Sequence, residues 1–68
     1  MTRIRINGAE EEVAAVTVSD LLAARGVDPA ARFLAVAVNG SVVRRSEWPS
    51  HSLAPDDNVE IVRPYQGG

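Results

Sequence analysis

A single stretch, Thr17 to Gly26, carries the helix signals of this chain, and it limits the possible fold more than any other feature. Thr17-Val18-Ser19-Asp20 has the spacing of a capping box, in which the Thr17 hydroxyl serves the first-turn amides and the Asp20 carboxylate answers back. Val18, Leu21 and Leu22 fall on one helical face, and Gly26 supplies the left-handed residue that commonly ends a helix. Two turns of helix do not hold by themselves in water, so the segment must pack on a sheet. The chain has 68 residues and no cysteine, so that packing has to form one small core without disulfide staples.

Strand signals surround the helix. Thr2-Arg3-Ile4-Arg5-Ile6 alternates polar and apolar, and Asn7-Gly8 is a hairpin signal, so a second strand is expected to run through about Ala15. A strict two-residue turn would place Glu11 on the same face as Ile4, which predicts a longer loop or a bulge instead. Glu10-Glu11-Glu12 reads as a solvated edge. After a turn at Pro29-Ala30-Ala31, the apolar run Leu34 to Val38 reads as a strand buried on one face and partly covered on the other, ended by Asn39-Gly40. Val42-Val43 continues as a short strand, Arg44 to Pro49 is a polar connection anchored by Trp48 as a core lid, and Pro55 to Asn58 is a turn before a last strand from Val59. The order predicts an α+β fold: a mixed sheet of about five strands with one main helix across one face. This resembles the β-grasp of ubiquitin-like domains, with a small β-barrel carrying one helix as the alternative. Residues 1–64 are read as the domain and 65–68 as a flexible tail.

Composition removes several classes of function. The net charge of −2 gives no field that would point to nucleic acid or an anionic membrane. The absence of cysteine excludes thiolate metal sites, a cysteine nucleophile and a side-chain persulfide. All seven basic residues are arginine, so no side-chain ammonium is present for a Schiff base or for self-conjugation. The one histidine, His51, sits in a loop-like Trp-Pro-Ser-His-Ser-Leu stretch without a second ligand at metal spacing, and it is read as a loop residue with no metal site. No apolar stretch approaches the roughly 20 residues of a bilayer span and the N-terminus shows no signal-peptide core, so the expected location is the cytoplasm.

The remaining chemistry is at Gly67-Gly68. A strand, Val59-Glu60-Ile61-Val62-Arg63, leads through Pro64 to an unhindered carboxylate on residues without side chains. Glycine tolerates backbone angles closed to other residues, so Gly67 suits threading into a narrow channel and Gly68 presents the reacting carboxylate. If Val59 and Ile61 point inward, Glu60 and Val62 point outward, where they join Arg3, Arg5, Ala35 and Ala37 as a partner-docking face opposite the helix.

These residues resemble the sulfur-carrier proteins of thiamine biosynthesis, the ThiS family, over essentially the whole chain. The resemblance lies in Asn7-Gly8 after a first strand, in Thr17-Val18-Ser19-Asp20-Leu21-Leu22, and in Val36-Ala37-Val38-Asn39-Gly40 leading through Val42-Val43 and Arg45 to Trp48. It continues in Val59 to Pro64 running into Gly67-Gly68. Tyr65-Gln66 departs from the smaller residues many relatives carry there. The resemblance implies a protein cosubstrate with no catalytic activity and no cofactor of its own. A ubiquitin-activating-type enzyme would use ATP and Mg to adenylate Gly68, and a cysteine desulfurase or other persulfide donor would supply sulfur. The resulting thiocarboxylate would donate that sulfur to thiazole synthase. The same fold also serves carriers for molybdopterin, cysteine and tRNA thiolation, as well as ubiquitin-like modifiers and adaptors. The molybdopterin carrier is typically longer.

Overall fold

The first hairpin departs from the expected bulge. A computed structural model describes residues 1–63; Pro64 and the expected tail, including Gly67 and Gly68, lie outside the described residues. β1 (Thr2–Ile6) and β2 (Ala9–Val13) pair without interruption from Thr2 opposite Val13 to Ile6 opposite Ala9. The turn is the strict two-residue type, with φ of 50° at Asn7 and 87° at Gly8, the doubly positive pair that matches strand twist. Glu11 therefore does lie opposite Ile4, on the helix side. It is accommodated because β2 is an edge strand and the Arg25 guanidinium reaches it at 3.0 Å, so no bulge is needed to remove its charge from the core. β2 also stops at Val13, short of the expected Ala15.

α1 (Val18–Ala24) starts and stops as its sequence dictates. The Thr17 hydroxyl accepts from the Asp20 amide, and Asp20 Oδ2 accepts from the Thr17 amide, both at 3.1 Å. The first two helical amides, of Val18 and Ser19, donate to the carbonyls of His51 and Trp48, so the connection that precedes the last strand completes the cap. At the other end Gly26 has φ of 72°; its amide donates to Ala23 and that of Val27 to Leu22, closing a Schellman motif with Val27 buried.

β3 (Ala35–Val38), β4 (Ser41–Val43), a single 3-10 turn (Arg45–Glu47) and β5 (Asn58–Val62) complete the order. The five strands form one sheet, β2-β1-β5-β3-β4, in which β1 and β5 are parallel and the other neighbours antiparallel. This is the β-grasp arrangement that the order of signals predicts. One core lies between α1 and the sheet: Val18, Leu21 and Leu22 from the helix meet Ile4, Ile6, Val36, Val38, Val43, Val59 and Ile61 from the strands. Trp48 closes it, buried, with Nε1 donating to the Val43 carbonyl at 2.9 Å. Arg45 stacks on the Trp48 ring at 4.9 Å and donates to the carbonyls of Pro29 and Ala31, tying the connection after α1 to the lid. Among the described residues no polar or charged side chain is buried and no buried side-chain nitrogen or oxygen lacks a partner.

Candidate functional site

The sheet face turned away from α1 gathers every residue of the proposed docking face. The pairing of Arg3 with Glu12, Arg5 with Glu10, Ala37 with Glu60 and Ala35 with Val62 puts all of them outward, because their sequence neighbours Ile4, Ile6, Val36, Val59 and Ile61 are buried. The face divides into two wings. On β2 and β1, Glu12 and Glu10 lie 3.6 and 3.5 Å from Arg3 and Arg5 across the strands, all four side chains more than half exposed. On β5, β3 and β4 the surface is apolar apart from Asn58 and Glu60: Val62 is 59% exposed, Ala35 is exposed, Ala37 is half-buried, and Val42 is 77% exposed.

Two features of this face were beyond the reading of sequence. Val42 joins it because the β3–β4 register sets it beside Ala37, and only the pairing decides which of two adjacent valines faces out. The acidic run is divided rather than uniformly solvated: Glu10 and Glu12 face out against Arg5 and Arg3, while Glu11 faces the helix side against Arg25. His51 is half-buried in its loop and works through its backbone, whose carbonyl caps α1.

β5, the strand that leads in sequence to Gly67-Gly68, lies between β1 and β3 and is held at both ends by asparagine side chains. At its start, Asn39 Oδ1 accepts from the Asn58 amide at 2.9 Å and Asn39 Nδ2 donates to Asp57 at 3.0 Å. At its end, Asn7 Oδ1 accepts from the Ile61 amide at 2.8 Å and Asn7 Nδ2 donates to the Ile61 carbonyl at 3.3 Å. Both asparagines belong to the Asn-Gly hairpin turns and have positive φ, 50° at Asn7 and 53° at Asn39.

Two solvent-open depressions lie at the charged wing, one of about 100 Å³ lined by Arg3, Ile4, Arg5, Glu10, Asp56 and Asn58 and a more open one of about 330 Å³ lined by Arg3, Glu10, Glu11 and Glu12. Their charged walls lack the apolar lining of ordinary small-molecule sites. No helix among the described residues is long and apolar enough to cross a membrane.

A recognised family model, that of the ThiS family, matches residues 4–68. The chain belongs to the ThiS family. A crystal structure of the thiamine biosynthesis protein ThiS from Geobacter metallireducens is similar at 27% identity and a TM-score of 0.79, over 98% of this chain and 100% of that one. An NMR solution structure of a thiamine biosynthesis protein from the same organism is similar at 27% identity and a TM-score of 0.79, over 98% of this chain and 88% of that one. No curated protein sequence matches significantly. The ThiS match bears out the resemblance read from the motifs, and the structural neighbours share the five-stranded β-grasp.

Proposed function

We propose that this chain is the sulfur-carrier protein of thiamine (thiazole) biosynthesis, a protein cosubstrate whose Gly68 carboxylate carries the sulfur. The observation that carries this reading is the ThiS match itself, which extends through Gly67-Gly68. A carboxylate resists sulfur nucleophiles because its charge is delocalised and its leaving group is oxide. In this reading a ubiquitin-activating-type partner, using ATP and Mg, lets a Gly68 oxygen attack the α-phosphorus, and pyrophosphate leaves. The terminal sulfur of a persulfide supplied by a cysteine desulfurase then attacks the acyl carbon and AMP leaves. A thiol cleaves the resulting sulfur–sulfur bond, and the Gly68 thiocarboxylate passes its sulfur to thiazole synthase.

The composition and the open face support this division of labour. The chain has no cysteine to carry a persulfide and no phosphate-binding loop. The smaller depression on its open face sets Arg3 and Arg5 against Glu10 and Asp56, so its lining offers a triphosphate no net positive charge. Docking is assigned to the open face because β5, at its centre, continues in sequence into the tail. In this reading the protein works in the cytoplasm.

The test is intact-protein mass spectrometry after incubation with the adenylating enzyme, ATP and a cysteine-fed desulfurase, beside a chain lacking Gly68. A mass gain equal to sulfur replacing oxygen, located at Gly68 and absent from the truncation, is the expected result. The absence of any gain with an enzyme active on another carrier of this kind sinks the reading. Covalent adducts to lysines of other proteins would instead indicate a ubiquitin-like modifier.

A further inference from the structure

The parallel ladder between β1 and β5 ends early. The amides of Arg5 and Asn7 donate to the carbonyls of Asp57 and Val59, and then the chain turns away through Gly8 into the first hairpin. Ile61 comes next on β5. Its N–H and C=O face β1, because it alternates with Glu60 and Val62, whose backbone groups face β3. With β1 gone, that N–H and C=O have no backbone partner on this side among the described residues. The Asn7 side-chain amide supplies both missing groups, an acceptor at 2.8 Å and a donor at 3.3 Å, in the part-buried space beyond the turn. A primary amide is the side-chain group with the acceptor and donor of a peptide, so it continues the ladder by one step where the main chain cannot. Aspartate fits the turn equally well but has no donor for the Ile61 carbonyl.

We infer that Asn7 is a positioning residue for the carrier tail: its amide pins Ile61 and so fixes the strand end from which residues 62–68 continue to the reacting carboxylate. The inference rests on the carrier reading above for its functional half and on the Asn7–Ile61 geometry for its structural half. Anchoring of Ile61 fixes the point and direction in which β5 ends, and a loss of that orientation is expected in the turnover step more than in docking.

The test is N7G beside N7D, both in the full chain. Glycine suits the positive φ at Asn7, so the hairpin survives in N7G while the amide is lost. Amide hydrogen exchange in N7G is expected to be about tenfold faster at Ile61 and unchanged at Val59 and Leu22, with N7D intermediate because it keeps the acceptor. With an adenylating enzyme of the ubiquitin-activating type and ATP, kcat for pyrophosphate release is expected to fall about tenfold in N7G while KM for the carrier stays within about twofold. Unchanged exchange at Ile61 overturns the inference. So does faster exchange spread over Val59 and Leu22, which would mark Asn7 as a general fold residue, and so does unchanged kcat when Ile61 is loosened. If the wild-type chain is not adenylated at all, the carrier reading fails by itself, and the exchange measurement alone upholds or overturns the clamp.

Discussion

Trp48 shows how much one side chain can carry in a domain this small. It fills the core between α1 and the sheet, gives its indole N–H to the Val43 carbonyl, receives the Arg45 guanidinium on its face, and lends its own carbonyl to the Ser19 amide at the start of α1. A domain of this length has a total stability of roughly 3–10 kcal/mol, and truncating a buried tryptophan costs about 3–5 kcal/mol. W48A is therefore expected to lose about a third or more of the domain's stability, and to be unfolded at room temperature where the total lies at the low end of that range. W48F retains most of the packing but strands the Val43 carbonyl, and it is expected to lose about 1–3 kcal/mol. Urea titration followed by far-ultraviolet circular dichroism measures both, and a W48A midpoint equal to wild type would refute the assignment of the ring as the closing piece of the core. The core role of Trp48 was legible from its being the one large aromatic in a polar connection. The part played by Arg45 was not, because its acceptors at Pro29 and Ala31 are brought to it only by the tertiary fold.

At the scale of elements, local signals and long-range pairing divided the information. The ends of α1 were written in its own residues: Thr17 and Asp20 at the start, Gly26 at the stop. The register of β2 was not, because the hairpin rule and the hydrophobic alternation conflict at Glu11, and turn geometry prevailed once Arg25 from the end of α1 could meet the carboxylate. That pair is 38% exposed at each side chain, so it offsets a misplaced charge and adds little stability beyond that. A double-mutant cycle on E11Q and R25Q is expected to give a coupling of about 0.3–1 kcal/mol that shrinks as salt is raised to 1 M. E11V, by contrast, puts a strand-forming apolar residue on the helix-side face and is expected to raise the melting temperature even though it breaks the ion pair. A fall in melting temperature for E11V would mean that the Glu11–Arg25 contact is holding β2 in place and that the account of the register is wrong.

For the whole molecule, the order β2-β1-β5-β3-β4 makes the tail-bearing strand the edge of the apolar wing, where it meets the charged wing of one exposed face. Arg3 and Arg5 already face acids on β2, so their charges are largely compensated before a partner arrives; the uncompensated feature is the apolar wing of Val42, Val62, Ala35 and Ala37. Val42, at 77% exposure, can be changed without disturbing the core, and V42D is expected to fold as wild type within about 0.5 kcal/mol. If a partner covers the apolar wing, V42D leaves a charge desolvated there. KM for the carrier should then rise at least about tenfold with kcat nearly unchanged, the reverse of the split expected for N7G. R3E should shift KM by less than about threefold at physiological salt, since it exchanges one exposed ion pair for a repulsion that solvent screens. A large R3E effect that fades with added salt, together with an unaffected V42D, would move the docking surface to the charged wing and make encounter, rather than burial, the source of recognition. The two wings therefore separate by salt dependence as well as by mutation, and the apolar wing predicts a KM that stays nearly flat from low to high ionic strength.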